Sequence, residues 1–358
     1  MDEHKSTHVL MTGGGTLGPV TPLLAIVEAW RRIDPGVRVT WIGTPHGPEA
    51  ELLDELHIPF IPMASAKFDR ARLWTLPWNA VVFVWSCARA YTLLKHLQPN
   101  MIFTAGGYVS VPLVIVGRLM KIPAWVHQLD VRPGLANKLM APFAKRVSVT
   151  WERTAKYFSA KKTIVVGGME RSGLRIGDGN ALLQSLGMSP ACPTILVMGG
   201  GTGARTINET IRAIIPELPE VNVIHLTGKG KNSGVGAPGA HHHYFATEFF
   251  THEMGDAYAA ADVVVARAGM GTILEVAALG KPTIFIPIEN SDQLANAKML
   301  YNLNAAIIID HLTPQLLRQE IDRLLKDGLL RRRLSQNISN IFPFGAEERI
   351  VEEARKII

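Results

Sequence analysis

Apolar and polar positions alternate in blocks along this chain, and the blocks have two periods. Val9-Leu10-Met11 is a short apolar run that stops at Thr12-Gly13-Gly14-Gly15-Thr16. An apolar run bounded by glycine suits a buried strand. Over 20–32 the apolar residues return every three or four positions, which predicts a helix. A strand at 37–42, a helix near 49–56 and a strand at 101–104 continue the alternation. Alternating strands and helices indicate βαβ units around a parallel sheet.

The opening then recurs. Residues 194–198 form an apolar run, followed by Gly199-Gly200-Gly201-Thr202-Gly203 and a helical pattern over 204–215. The two glycine runs start 186 residues apart (199 − 13), too far for a solenoid repeat. The pattern predicts an α/β chain of two Rossmann-like parallel-sheet domains, over 1–165 and 166–345. The helix predicted over 346–358 can pack on either domain, including back on the first. The Gly- and Lys-rich stretch 228–243, with His241-His242-His243, is expected to be a solvated loop.

Composition narrows the class. The chain has 358 residues, 47% hydrophobic and 19% charged, which excludes extensive disorder, collagen and coiled coil. Two cysteines, Cys87 and Cys192, make neither a disulfide scaffold nor a Cys-rich metal site. The first eight residues are polar, with no secretion signal evident. Net charge is +6, distributed unevenly: residues 1–165 hold 19 Lys/Arg against 11 Asp/Glu, and the remainder 18 against 20. The first domain therefore favours an anionic partner: nucleic acid, anionic lipid or a phosphorylated ligand.

One segment refines that choice. The 16 residues from Leu73 to Ala88 carry no charge and include Trp74, Trp78, Phe83 and Trp85. Arg70 and Arg72 precede them; Arg89 and Lys95 follow. The segment is short for a spanning helix and contains Pro77 and Asn79. Tryptophans flanked by basic residues suit a membrane interface. The alternative is a buried core helix with a Trp-rich loop.

The glycine loops carry the chemistry. Glycines between a strand and a helix let the backbone approach a ligand, and the helix N-terminus offers amides and positive potential to phosphate. Gly13, Gly15 and Gly18 match the dinucleotide spacing, as do Gly199, Gly201 and Ala204. The acid that holds an NAD ribose is absent from the next strand end both times, where Gly43-Thr44 and Thr227-Gly228 stand. Neither loop has the Lys-Ser/Thr ending of a Walker A loop. A third loop, Arg267-Ala268-Gly269-Met270-Gly271-Thr272, follows the strand predicted at 262–266. Glu275 lies one turn into the next helix, where a carboxylate accepts from a ribose diol or merely complements the helix dipole. The polar stretch 287–293, followed by Asn296, suits sugar hydroxyls.

These residues together resemble the MurG-type glycosyltransferases of the GT-B fold, nearly from end to end. Gly14-Gly15-Thr16-Leu17-Gly18-Pro19 is similar to the family's first glycine loop, and Gly106-Gly107-Tyr108-Val109-Ser110 to its second. Gly134-Leu135-Ala136-Asn137-Lys138, the loop 199–205, the block 261–275 and Gln293 with Asn296 resemble further motifs in order. The resemblance implies two domains facing each other across a cleft. It implies inverting transfer of N-acetylglucosamine from UDP-GlcNAc to the muramoyl-pentapeptide of undecaprenyl-diphosphate lipid I. The product, lipid II, serves peptidoglycan synthesis, and hence cell shape and division.

The roles implied are as follows. Glu275 holds the ribose, Met270, Gly271 and Thr272 cap the diphosphate, and Thr251 reads uracil. Arg171 and Gly201 touch the nucleotide, and Gln293 with Asp292 binds the sugar. Gly14, Gly15, Gly18, Gly106, Gly107, Tyr108 and Asn137 serve the acceptor. The resemblance departs at Pro19, where the family usually carries a histidine; proline cannot transfer a proton. The family's His-Glu-Gln-Asn stretch here reads His127-Gln128-Leu129-Asp130. Asp130 and His127 are then the candidate catalytic bases. No Asp-x-Asp metal motif stands near the predicted diphosphate, so no cofactor and no metal are expected. The partners implied are UDP-GlcNAc, lipid I or a similar lipid diphosphate, and an anionic membrane surface at the inner face of the plasma membrane; no nucleic acid is expected. The alternatives are a related enzyme with another lipid-linked acceptor, a UDP-sugar epimerase, and a non-catalytic binder of UDP-sugar or lipid.

Overall fold

Among the described residues every strand pairing is parallel. The computed structural model describes residues 6–16, 18–47, 49–66, 76–170, 173–200, 203–218, 220–231, 243–250 and 252–358. The chain forms two units, Met1–Glu170 with Pro343–Ile358, and Arg171–Phe342.

The first unit contains β1 (His8–Thr12), α1 (Thr21–Ile33), β2 (Arg38–Gly43), α2 (Glu49–Glu55), β3 (Phe60–Pro62), α3 (Leu76–Leu97), β4 (Met101–Thr104), α4 (Ser110–Leu119), β5 (Ala124–Gln128), α5 (Leu135–Met140), β6 (Arg146–Val149) and β7 (Thr163–Val165). Its sheet runs β3-β2-β1-β4-β5-β6-β7. The order reverses between β1 and β4, where Thr12 pairs with Thr104. At such a switch point in an open α/β sheet the loops part and leave a crevice for ligand beyond the strand ends. All five residues of β1 are buried, as a strand covered on both faces requires. Phe103 on β4 stacks on Trp125 with ring centres 5.8 Å apart and takes the edge of Trp30 from α1 at 5.6 Å. These contacts seat α1 on the sheet.

The second unit contains α6 (Gly179–Ser185), β8 (Thr194–Met198), α7 (Arg205–Ile214), β9 (Asn222–Leu226), β10 (Tyr244–Thr247), α8 (Met254–Ala260), β11 (Val263–Ala266), α9 (Met270–Leu279), β12 (Thr283–Phe285), α10 (Gln293–Asn302), β13 (Ile307–Ile308), α11 (Pro314–Lys326) and α12 (Gly328–Ser339). Its sheet runs β10-β9-β8-β11-β12-β13, with the switch point between β8 and β11. Isoleucines of α7 (Ile207, Ile211, Ile214) pack with Ile195, Val197 and Val263 of the sheet and with Leu317 and Ile321 of α11. Gly280 ends α9 in the left-handed region at φ 62°, the conformation a glycine takes at a helix terminus without strain.

The chain then returns to the first unit. The last helix, α13 (Ala346–Arg355), lies against α1, and Arg32 pairs with Glu348.

The apolar segment read at 73–88 falls partly within α3; 67–75 lie outside the described residues. One face of α3 buries Ser86, Ala90 and Leu94. The other exposes Trp78 (70%), Val81 (61%), Val84 (68%) and Trp85 (56%). The helix is therefore half core and half apolar surface. Among the described residues no helix is long and apolar enough to cross a membrane. Most of the histidine-bearing loop at 228–243 lies outside the described residues. Of its three histidines, the described His243 bonds through Nδ1 to Asn222 Oδ1 at 2.9 Å.

Candidate active site

In the first unit both glycine loops sit at the switch point and touch each other. A Cβ placed on Gly107 would lie 3.3 Å from the backbone N and O of Gly14, and one on Gly13 would lie 3.2 Å from Gly106 O. Gly106 and Gly107 have φ of 117° and 96°, consecutive values that side chains rarely adopt. The turn is fastened from beneath. Thr104 Oγ1 accepts from Gly106 N at 3.0 Å, and Ser110 Oγ donates to Gly106 O at 3.1 Å. Tyr108 is half-buried behind it, with its backbone O accepting from Ser65 Oγ at 3.3 Å.

A residue outside the sequence reading fills the first loop. Glu49, at the start of α2, is fully buried. Its carboxylate accepts from Thr44 N at 2.7 Å, from Thr44 Oγ1 at 2.6 Å and from Gly15 N at 3.2 Å. A buried carboxylate needs such donors. A Cβ on Gly14 would come within 1.9 Å of Glu49 Oε1. Gly14 leaves the space that Glu49 fills, and the exposed Gly15 donates its amide to the same carboxylate, so Glu49 holds the turn of the loop expected to serve the acceptor. Gly18 is also exposed. The signal for Glu49 in the sequence is its place five residues past Thr44, beyond the strand end where a ribose-binding acid would stand.

The two candidate bases separate. Asp130 is half-buried just beyond the carboxyl end of β5. His127, inside β5, has no exposed surface. Its Nδ1 is 2.8 Å from Ser148 Oγ and its Nε2 is 3.3 Å from Thr150 Oγ1. Burial pushes its pKa down to about 3, so the ring is neutral at physiological pH. The expectation that His127 is a catalytic base is therefore corrected: its ring bonds to hydroxyls on the neighbouring strand and the turn after it, out of reach of substrate. Asn137 is buried on α5 and ties the neighbourhood together. Its Nδ2 donates to Gln128 Oε1 at 2.6 Å and to His127 O at 3.1 Å, while Gln128 Nε2 donates to Asp130 O at 2.9 Å. Asn137 Oδ1 would lie 3.2 Å from a Cβ on Gly106. The second glycine loop, Asn137 and the Asp130 turn thus form one connected group.

In the second unit the loop after β11 opens α9. Gly269 is extended, and Met270 begins the helix without a side-chain cap, so the first-turn amides point beyond the strand ends. Met270 is buried; Gly271, Thr272 and Glu275 are half-buried. Tyr258 on α8 donates its hydroxyl to Glu275 Oε2 at 2.7 Å. Gln293 Oε1 accepts from Ile288 N at 3.1 Å, and Gln293 Nε2 would lie 3.8 Å from a Cβ on Gly269. Gln293 therefore faces the α9 loop, with Asp292 beside it and exposed. Asn296, buried on α10, donates to Ala268 O at 3.2 Å.

Arg267 locks these loops together. Its Nη1 donates to Ile286 O at 3.0 Å and Pro287 O at 3.1 Å, and its Nη2 to Thr206 Oγ1 at 2.8 Å. Burial lowers its pKa. Arg205, at the end of the loop resembling the family's, is exposed and pairs with Glu209 on its own helix. Arg171, Gly201 and Thr251 lie outside the described residues.

Residues 9–149 match the glycosyltransferase family 28 N-terminal domain, and residues 194–348 match the C-terminal domain of the same family. The two Rossmann-like units and their loop sites define an α/β glycosyltransferase of the GT-B class. The UDP-N-acetylglucosamine--N-acetylmuramyl-(pentapeptide) pyrophosphoryl-undecaprenol N-acetylglucosamine transferase of Legionella pneumophila (strain Lens) is 35% identical over 337 residues, 92% of this chain and 88% of that protein. A like-named transferase (2) of Bacillus anthracis is 36% identical over 297 residues, 81% of this chain and 83% of that one. The crystal structure of Acinetobacter baumannii MurG aligns over 98% of this chain and 99% of that one, with TM-score 0.72 and 26% identity. A UDP-GlcNAc 2-epimerase from Neisseria meningitidis, bound to UDP-GlcNAc, aligns with TM-score 0.68 at 14% identity, over 98% of this chain and all of that one; this is a likeness of fold. The chain belongs to the MurG-type transferases of glycosyltransferase family 28.

Proposed function

We propose that the chain moves N-acetylglucosamine from UDP-GlcNAc to the muramoyl-pentapeptide of undecaprenyl-diphosphate lipid I, with inversion, giving lipid II. The observation that carries this is the α9 amino terminus with Glu275 one turn inside it, in a chain related to these transferases over most of its length. The first-turn amides of Met270, Gly271 and Thr272 take the donor's diphosphate, and Glu275 accepts from the ribose hydroxyls. Gln293 and Asp292 bind the sugar, while Thr251 with Arg171 and Gly201 completes the nucleotide site. The acceptor's diphosphate is held by Gly106, Gly107 and Tyr108, with Gly18 at the first loop, and the buried Asn137 supports the Gly106 turn.

In the reaction the acceptor hydroxyl oxygen bonds to the anomeric carbon, and the bond from that carbon to the UDP oxygen breaks. Asp130 takes the hydroxyl proton. The α9 amides and Arg171, in place of a metal, stabilise the charge that develops on UDP. The exposed apolar face of α3 and its flanking basic residues rest on the anionic cytoplasmic surface of the plasma membrane, where the acceptor is anchored.

UDP release by the purified protein, with UDP-GlcNAc and a short-chain lipid I analogue, tests the reaction. Acceptor-dependent release with a disaccharide product, undiminished by EDTA, is expected. Donor binding without release would discard lipid I as the acceptor and leave the donor site standing.

A further inference from the structure

Tyr258 is absent from every family role described above. It lies on the short helix α8, has no exposed surface, and sends its hydroxyl to Glu275 Oε2 at 2.7 Å. The same hydroxyl is 3.4 Å from Met198 Sδ, at the end of β8. The tyrosine thus reaches Glu275 from the interior, beside the carboxyl end of β8.

We infer that Tyr258 is a positioning residue for donor recognition: its hydroxyl fixes the Glu275 carboxylate in the orientation that accepts from the ribose. An unrestrained glutamate loses rotamer freedom on gripping a ligand, and a buried tether removes that cost before the ligand arrives. A hydroxyl bonded to a carboxylate is among the stronger neutral-to-ion contacts, so the restraint is effective. This inference rests on Glu275 being the ribose acceptor.

The test compares UDP with 2′-deoxy-UDP by calorimetry on the full chain, in wild type, Glu275→Gln and Tyr258→Phe. Wild type is expected to prefer UDP by roughly tenfold or more. Glu275→Gln abolishes most of that preference. Tyr258→Phe keeps the affinity for 2′-deoxy-UDP and lowers the preference at least threefold; in turnover it raises the KM for UDP-GlcNAc with kcat unchanged. A purely structural tyrosine would weaken both nucleotides alike and leave the preference intact, which overturns the inference. If Glu275→Gln itself keeps the preference, the ribose role of Glu275 falls and the inference with it. Should Tyr258→Phe not fold, 3-fluorotyrosine at position 258 keeps the shape and changes only the hydroxyl's donor strength. A shifted preference then supports the inference, and an unchanged one overturns it.

Discussion

Both units place a glutamate near a strand–glycine–helix loop, and they use it in opposite ways. Glu49 turns into its loop, is fully buried, and accepts from Thr44 and Gly15. Glu275 stands one turn inside its helix, half-buried, with Tyr258 behind it. The difference lies in which element carries the acid. Glu49 begins the helix after the next strand, so its side chain reaches back across the loop. Glu275 belongs to the helix that the loop itself opens. The same local pattern therefore makes a self-satisfied turn in one unit and a presented carboxylate in the other.

The contrast is tested most severely at Glu49. Glu49→Ala strands the buried Thr44 amide and hydroxyl and the Gly15 amide, so it should cost about 3–5 kcal/mol of stability. Thermal and urea unfolding should show the loss, with UDP affinity unchanged in whatever protein remains folded. Gly14→Ala should approach that cost, because its Cβ would meet Glu49 Oε1 at 1.9 Å. If Glu49→Ala unfolds like wild type, the carboxylate is not what holds the loop.

A third acid shows what happens when the donors are too few. Glu347, at the start of α13, is buried, and its Oε2 lacks a hydrogen-bond partner among the described residues. Burial raises its pKa from 4.5 to about 7. The folded state therefore holds this proton more tightly than the unfolded chain does. Its stabilising effect is complete below pH 4.5 and is lost as pH rises through about 7. Glu347→Gln should flatten the fall in stability between pH 5 and pH 8 relative to wild type, and should be the more stable protein at pH 8. Parallel curves for the two proteins would remove this role.

At Glu275 the loss should appear in binding and not in folding. Glu275→Gln, which keeps an oxygen to accept from the buried Tyr258 hydroxyl, should weaken UDP binding by about 2 kcal/mol, some thirtyfold, while Tm moves by only a degree or two. A variant that unfolds early, yet binds UDP normally when folded, would make Glu275 a second Glu49 and erase the contrast.

The alternation of periods was legible from the chain alone because parallel strands buried on both faces read as unbroken apolar runs. The runs at 101–104 and 194–198 coincide with β4 and β8. The glycine loops were legible because their conformations admit few other residues. What was not legible is which polar group satisfies which. His127 read as chemistry because its stretch resembles a family element and Pro19 stands where the family usually carries a histidine. The structure spends it on Ser148 and Thr150. Glu49 and Tyr258 went unread because their partners lie across the fold, and sequence spacing holds no trace of a bond between helix α8 and helix α9. The apolar stretch near 73–88 had two readings because one face of α3 fits each.

That helix offers the smallest effect. The first unit carries the basic excess and the exposed apolar face, so its contact with a bilayer should have both an electrostatic and an apolar part. Trp85 is 56% exposed, and sinking an exposed indole into the interface is worth about 1 kcal/mol. Trp85→Ser should therefore reduce co-sedimentation with anionic vesicles roughly fivefold, and Trp78→Ser with Trp85→Ser considerably more. Raising the salt should weaken wild type and variants in the same proportion, because the charges are untouched. UDP affinity should not change, since Glu275 and the loops around it belong to the other unit. If the double variant still sediments like wild type while salt releases both, the basic residues alone make the contact, and the exposed face of α3 must have another use.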